Sequence, residues 1–146
     1  MTTALAAAEV AAKITSKSAG SVIDANQNVL LVKSETIQEV LSVLKEAPGL
    51  EFDYLADITA TDYWDYFEIV YQITSLTHNQ KINVKTRLTG RENLILPSVV
   101  SVYKGADYQE REIYDLMGIS FDGHPNLKRL FLWEGFPGHP LRRDYL

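Results

Sequence analysis

The chain has 146 residues, of which 46% are apolar and 23% are charged, and its formal net charge is −5. This length and composition fit one compact domain with its own core, and the acidic balance argues against a general nucleic-acid binder, because a phosphate backbone is held mainly by clustered Lys and Arg. The chain contains no cysteine, which excludes disulfides, a thiolate nucleophile and sulfur ligation of an iron–sulfur cluster by these residues.

The N-terminal third predicts two helices separated by a hairpin. Residues 3–17 are rich in helix formers and lack the cationic start and cleavage region of a signal peptide. Strand-like residues 21–24 and 29–33 flank a polar turn and predict a β-hairpin. Ser34 is predicted to cap a second helix, whose apolar residues lie on one face: Ile37, Val40, Leu41 and Leu44. No apolar run reaches the roughly 20 residues of a membrane-spanning helix, so we expect membrane association only through partners.

The middle of the chain has the alternation typical of strands. Residues 67–75 and 81–89 predict two long strands, whereas the polar residues 59–65 predict a turn-rich connection before them. Residues 94–103 include Pro97, which suits a loop or an edge strand. The pattern as a whole predicts an α+β fold with a mainly antiparallel sheet and helices packed on one face.

A third helix is predicted from a capping signal at Asp107 to a stop at Gly118. Glu110, three residues after Asp107, can return the bond of a capping box. Arg111 lies four residues from both Asp107 and Asp115 and can form an ion pair with either. We therefore expect local structural roles for these charges.

Residues 119–146 predict an extended, irregular C-terminal tail that follows the α+β domain of residues 1–118 and docks on partner subunits. The tail has many Gly and Pro residues and no sustained periodicity. Its end, Leu141-Arg142-Arg143-Asp144-Tyr145, is a basic and aromatic run, and Arg side chains suit carboxylates or carbonyl oxygens of a partner protein. A solvated polar tail is the alternative interpretation.

The densest cluster of ionisable residues is Glu110, Arg111, Glu112 and Asp115. Together with His124 it is compatible with a small free-standing hydrolase or isomerase that uses two carboxylates for acid–base chemistry. However, Glu110 and Glu112 lie two residues apart and point in different directions on a helix. Capping and salt bridges therefore explain the cluster better than catalysis does.

Two Gly-His-Pro triplets place His124-Pro125 and His139-Pro140 in similar surroundings. Imidazole binds zinc well, but a zinc site needs three or four ligands, and the sequence has neither a cysteine nor a His-x-x-x-His pair. The glycines form neither a dinucleotide-binding nor a phosphate-binding loop. We therefore predict no catalytic, cofactor-binding or metal-binding residue in this chain.

Two motifs resemble one known family. The run Glu110-Arg111-Glu112-Ile113-Tyr114-Asp115-Leu116-Met117, followed by His124, Lys128, Leu130 and Phe131, closely resembles the signature of the thirty-kilodalton subunit of complex I. This is the C-type subunit of NADH:quinone oxidoreductase, known as the J-type subunit in chloroplast and cyanobacterial relatives. The ending Gly138 to Tyr145 resembles the tail of that family, and the likeness covers most of residues 30–146. Tyr108 departs from the pattern, because the family often has Trp there.

The resemblance implies a cofactor-free structural subunit of the hydrophilic arm, which supports electron transfer to quinone coupled to proton translocation. The implied neighbours are the quinone-site (forty-nine-kilodalton, D-type) subunit and the cluster-bearing B- and I-type subunits, and FMN, iron–sulfur clusters and quinone would lie in such partners. The isolated chain would have no activity. The implied location is the cytoplasmic face of the inner or plasma membrane, or the stromal side of the thylakoid. Related ferredoxin-, F420- or hydrogenase-linked complexes carry similar subunits and remain alternatives.

The resemblance also selects candidate partner contacts within the two motifs. They are Glu110, Arg111, Glu112, Asp115, His124, Pro125, Lys128, His139, Pro140, Leu141, Arg142, Arg143, Asp144 and Tyr145.

Overall fold

A computed structural model of the chain describes residues 3–4, 10–11, 14, 22–26, 28–133 and 136–143. The strands in these residues are β1 (Thr3–Ala4), β2 (Val22–Asn26), β3 (Val29–Val32), β4 (Tyr54–Asp62), β5 (Tyr66–Ser75), β6 (Gln80–Thr89), β7 (Ile95–Pro97) and β8 (Ser120–Asp122). A 3-10 turn, Ser34–Thr36, leads into helix α1 (Ile37–Glu46), and helix α2 spans Ala106–Met117.

The main sheet has the strand order β2-β3-β6-β5-β4, and β1 pairs with β6 beside this path. The neighbours β2/β3, β4/β5 and β5/β6 are antiparallel, whereas β3 and β1 run parallel to β6. Strands β5 and β6 pair without interruption from Tyr66↔Thr89 to Ser75↔Gln80. The predicted α+β fold with a mainly antiparallel sheet is therefore confirmed, and β4 lies at one edge of this sheet.

The core lies on one face of the sheet, because alternate residues of the strands point to the same side. The buried residues of the two central strands include Phe67, Ile69, Tyr71, Ile73, Ile82, Val84 and Leu88. Helix α1 buries its predicted apolar face of Ile37, Val40, Leu41 and Leu44 in the same core. The two long strands and the α1 face are thus as predicted, to within a residue or two at the ends.

The polar connection predicted for residues 59–65 is wrong for residues 59–62, which belong to strand β4 (Tyr54–Asp62) and pair with β5; only residues 63–65 form a turn. A register shift between Leu55 and Asp57 interrupts the alternation of buried and exposed positions. A bulge of this kind changes the face that each later residue occupies. The period-two pattern that would indicate a strand is therefore broken within β4 itself.

The beginning of the chain and the start of α1 also differ from the predictions. Thr3 and Ala4 form a strand where the sequence predicts a helix, whereas Val10, Ala11 and Ile14 are helical; the rest of residues 1–20 lies outside the described residues. Ser34 does not cap α1, because the 3-10 turn intervenes and Thr36 precedes the helix without a side-chain cap.

The chain after α2 begins inside the folded core. Strand β8 pairs in parallel with β7, of which Pro97 is the last residue, in a separate two-stranded sheet. Ile119 and Phe121 are buried with the core residues. The irregular part of the C-terminal region therefore starts at Gly123, and we call residues 123–143 the C-terminal segment.

Candidate functional site

Helix α2 carries two fully buried carboxylates, Glu110 and Asp115, which hold different parts of the chain. A buried charge is costly unless hydrogen bonds or an opposite charge compensate it. The hydrogen-bonding partners of these two side chains therefore show which parts of the chain helix α2 holds in place.

Glu110 holds the loop that follows β7. It accepts hydrogen bonds from Ser98 Oγ (2.6 Å) and from the backbone N–H of Val99 (2.8 Å). Burial raises the pKa of Glu110, and these two bonds only partly offset that effect. The predicted capping box is wrong, because Gly105 precedes the helix, no side chain caps it, and Asp107 lies in its first turn.

Asp115 holds the C-terminal segment. Its Oδ2 accepts the backbone N–H groups of Leu130 (3.2 Å), Phe131 (2.7 Å) and Leu132 (3.0 Å), and its Oδ1 lies 3.2 Å from Arg129 Nη1. Burial alone would raise the pKa of Asp115, but these bonds and the Arg129 charge outweigh it and lower the pKa. The ionised carboxylate therefore organises residues 129–132.

Three further contacts fasten the C-terminal segment to the last turns of α2. His139 Nδ1 lies 2.9 Å from the backbone oxygen of Asp115, and Leu141 N–H donates to the oxygen of Leu116 at 2.9 Å. Arg111 donates to the backbone oxygens of Lys128 and Arg129 at 3.2 and 3.3 Å. The predicted pairing of Arg111 with Asp107 or Asp115 is wrong, because these carbonyl groups take its donors.

His139 also explains why the helix ends at a glycine. Gly118 has a φ of 77°, and a Cβ placed on it would lie 2.7 Å from Cδ2 of the imidazole ring. Only glycine allows both this left-handed conformation and this close approach. The predicted end of the helix at Gly118 is confirmed. Glycine is required there partly because His139 of the C-terminal segment packs against it.

Asp62, at the end of β4, also holds the C-terminal segment, and we call Asp115 and Asp62 with their partners the two anchors of this segment. Asp62 is buried, binds Arg91 through both carboxylate oxygens (2.5 and 2.7 Å), and accepts the backbone N–H of Arg143 at 2.8 Å. The Arg91 guanidinium is the main reason that the pKa of Asp62 lies well below its usual range. Arg142 donates to the backbone oxygen of Arg91 and stacks over the buried Phe67 ring. The two predicted partner-binding arginines are therefore partly engaged within the chain.

His124 lies inside the fold, with no exposed side-chain area. Its Nδ1 accepts the N–H of Asn126 at 2.9 Å, and its Nε2 hydrogen-bonds the backbone oxygen of Asp107 at 3.3 Å, with Asp107 Oδ1 also nearby at 3.0 Å. This pattern puts the hydrogen on Nε2 and orients the ring by local bonds. At His124 the Gly-His-Pro triplet therefore has a structural role.

Two aromatic side chains of the C-terminal segment, Phe131 and Trp133, project outward, and together with the half-buried Phe136 we call them the aromatic ridge. Phe131 and Trp133 are 64% and 66% exposed, although Asp115 fixes the backbone between them. The Trp133 and Phe136 rings meet edge to face at 4.7 Å, and Arg129 lies over the Phe136 ring. Exposed aromatic side chains on a fixed backbone are typical of protein–protein contacts.

The remaining candidate contacts are divided between surface positions and positions outside the described residues. Glu112, Pro125 and Lys128 are at or near the surface, Leu141 is exposed, and Pro140 is half-buried. Asp144 and Tyr145 lie outside the described residues. The partner role of the candidate set stays a prediction.

The described residues do not form the acid–base site of the alternative hypothesis. Glu110 and Asp115 are buried and hydrogen-bonded to different loops, and the cavity lined by Glu112 has no histidine in its wall. In the part of the chain that the structure describes, His, Asp and Glu side chains do not gather in groups of three that could hold a metal ion. None of the helices described is long and apolar enough to cross a membrane.

Sequence reasoning missed several residues that build this site. Arg129, Asp62 and Arg91 are absent from the predicted set, although each is part of an anchor. The signal for Arg129 is weak, because its partner lies 14 residues away and no helical spacing relates the two. Trp133 and Phe136 could have been found as bulky residues in a stretch without periodicity.

Comparison with known families identifies the same family that the two sequence motifs resemble. The family described as "Respiratory-chain NADH dehydrogenase, 30 Kd subunit" matches residues 30–146. The chain belongs to this family. The match includes both anchors and the whole C-terminal segment.

Curated relatives in this thirty-kilodalton family have consistent names. The chain is 43% identical over 117 residues to a C-type NADH-quinone oxidoreductase subunit of Rhizobium meliloti, covering 78% of this chain and 63% of the relative. It is 38% identical to the C-type subunit of Salinispora tropica, covering 85% and 52%, and 39% identical to that of Rhodobacter capsulatus, covering 94% and 71%. The chain thus spans roughly half to two thirds of the length of most such relatives.

A solved structure has the same fold. A chain of the membrane-bound sulfane sulfur reductase, described as an archaeal respiratory membrane complex, matches with a TM-score of 0.76 over 94% of this chain and 84% of that one. The identity is 23%. The similarity supports the architecture described above for this member of the thirty-kilodalton family.

Proposed function

We propose that this chain is a cofactor-free structural subunit of the hydrophilic arm of a complex I-type NADH:quinone oxidoreductase, and that its aromatic ridge binds a partner subunit. The observation that carries the proposal is a fixed backbone with outward aromatic groups, Phe131 and Trp133. An ordered segment with such groups has already lost its conformational entropy before binding. Family membership supplies the type of assembly.

In this proposal the partner is the quinone-site subunit (forty-nine-kilodalton, D-type), with the B- and I-type subunits nearby. FMN, iron–sulfur clusters and quinone would be bound by such partners, and the chain would carry no electrons itself. The assembly would lie on the cytoplasmic face of the membrane, or on the stromal side of the thylakoid, and couple electron transfer to proton translocation. What supports this is the set of relatives named as C-type subunits of NADH-quinone oxidoreductase.

The test is the double substitution Phe131→Ala and Trp133→Ala, compared with Leu76→Ala, which removes an equally exposed apolar group from the β5–β6 turn. Truncating a central aromatic residue of a protein–protein interface to alanine costs about 2 kcal/mol or more of binding free energy, so we expect association to weaken by more than about tenfold. Native gels should then show less assembled complex, and membranes less NADH:quinone reductase activity. The Leu76 variant should behave as wild type.

Normal assembly of the double variant would overturn the role of the ridge. Arg142→Ala is a poorer test, because Arg142 packs on Phe67 inside the chain and its loss also disturbs the fold. The electron donor requires a separate measurement. Membranes that hold the assembled complex should reduce quinone with NADH, and activity with reduced ferredoxin alone would favour the ferredoxin-linked alternative.

A further inference from the structure

A groove runs between the edge strand β4 and helix α2, on the side of β4 away from β5. Two cavities of about 230 and 250 Å³ lie along it and share Ala60, Met117 and Leu141 as walls. Leu141 is 61% exposed although it is apolar, and its backbone is bonded to α2. The C-terminal segment therefore completes a groove that has room for a large apolar side chain between these shared walls.

One outward backbone amide of β4, that of Ala60, faces this groove without a hydrogen-bonding partner among the described residues. Tyr63 N–H donates to Tyr66 across the hairpin, and amides along an antiparallel strand alternate between its two sides. The amide of Ile58 points away from β5 and donates to Gln109 Oε1. Ala60, two residues on, presents its amide to the same side, where no hydrogen-bonding partner occurs among the described residues. An extended peptide could use this edge.

Two exposed carboxylates lie at one end of the groove, Asp57 and Glu112. Within the described ranges neither has a cationic partner, and Asp57 accepts only the amide of the next residue, Ile58, at 3.0 Å. The acid at the other end, Asp62, is already bound by Arg91. The free negative charge is thus confined to the Asp57 end, where a ligand with a positive charge would be favoured.

We propose that this groove binds an extended segment of a partner subunit that carries an apolar side chain next to a Lys or Arg. The apolar side chain would lie among Ala60, Met117 and Leu141, and the cation at Asp57 and Glu112. An extended ligand, not a helix, fits because the outward amide of β4 can add a strand. The inference rests on the proposed function, since it requires a multi-subunit assembly, but it concerns a surface separate from the aromatic ridge.

The test is photo-cross-linking in the assembled complex. Thr59, an exposed residue at the wall of the groove, is replaced by p-benzoylphenylalanine, and Leu76 in the β5–β6 turn is replaced in the same way as a control. We expect Thr59→p-benzoylphenylalanine to cross-link to a partner subunit, within four residues of a Lys or Arg in an extended stretch. The Leu76 variant should not give this product.

Charge reversal tests the acidic end. In the cross-linking chain, Asp57→Lys with Glu112→Lys should lower the yield about tenfold, because like charges oppose the cationic ligand. Glu39→Lys with Glu35→Lys, which reverses two exposed charges in and just before α1, should leave it unchanged.

Three outcomes would overturn the inference while leaving the proposed function intact. They are an assembled complex without a Thr59 product, a product with a helix or with this same polypeptide, and a yield unaffected by reversal at Asp57 and Glu112. Absence of the chain from every complex would overturn the proposed function, and this inference with it.

Discussion

The sheet core and the C-terminal segment are stabilised in different ways. In the core, β5 and β6 pair over ten positions and fully bury side chains such as Ile69 and Ile82. In the C-terminal segment none of the described residues 123–133 and 136–143 belongs to the buried apolar core, although the ring of His124 is buried. That segment is positioned instead by the buried carboxylates Asp115 and Asp62 and by the ring of His139.

The difference explains how an irregular segment can present apolar groups without losing its shape. Burial of apolar area contributes about 25 cal/mol per Å², so a core side chain must point inward to stabilise the fold. A hydrogen bond to a charged group contributes about 1.5–3 kcal/mol through the backbone alone. Because Asp115 holds the main chain of residues 130–132, the side chains of the aromatic ridge are free to face outward.

The strongest test of the core is Ile82→Ala, which creates a cavity in the central strand β6. We expect the free energy of unfolding to fall by about 2–5 kcal/mol, measured by urea denaturation. Ile23→Ala, on the exposed part of β2, should change it by less than about 0.5 kcal/mol. Equal effects of the two substitutions would contradict the proposed location of the core.

The corresponding test of the C-terminal segment is Asp115→Asn, which keeps the shape of the side chain and removes its charge. We expect residues 129–132 to open more easily by about 1–3 kcal/mol, because Arg129 loses its ion pair and three amides lose a charged acceptor. Amide hydrogen exchange should quicken there and stay slow in β5 and β6. Asp65→Asn, at an exposed turn residue, is the control. If Asp115→Asn quickened amide exchange equally in residues 129–132 and in β5 and β6, the two regions would not be stabilised separately.

Sequence alone predicts the parts of the fold that depend on periodicity. The alternation in residues 81–89 and the helical spacing from Ile37 to Leu44 each reflect one buried face, and both are confirmed. Strand β4 is missed because the bulge before Asp57 breaks its alternation. Local patterns thus reveal the long strands and the helix whose alternation or spacing is unbroken.

The geometry of the candidate site could not be predicted in the same way. Local spacing predicts that Asp115 pairs within the helix, but its partners are 14 to 17 residues away in an irregular segment. Asp62 meets the amide of Arg143 across 81 residues. Such contacts depend on tertiary structure and leave no spacing rule in the sequence, although the family resemblance selects most of the right region.

A smaller effect should come from Gly118→Ala, which probes the contact with His139. Alanine in the left-handed conformation costs about 1–2 kcal/mol, and its Cβ would also displace the imidazole ring. Gly90→Ala is a matched control, because Gly90 has a φ of 95° and no neighbour within 4 Å of an added Cβ. Both should lose stability by thermal denaturation, but only the Gly118 variant should also expose the amides of residues 139–142 to exchange.

The smallest effect is a difference in pH dependence between the two buried carboxylates of α2. The pKa of Asp115 is lowered, so its stabilisation is complete above the ordinary value of 3.8 and is lost as the pH falls through the folded-state pKa. The pKa of Glu110 is raised, so the folded state binds the proton more tightly and stability declines as the pH rises above 4.5. Urea denaturation between about pH 3 and pH 7 should therefore show opposite changes: Asp115→Asn should weaken the loss of stability in acid, whereas Glu110→Gln should weaken the decline toward neutral pH. A change of the profile in the same direction for both substitutions would contradict this prediction. Asp115, which holds the C-terminal segment, would then not differ electrostatically from Glu110, which holds the loop after β7. The contrast between the two regions would therefore not extend to the helix α2 that they share.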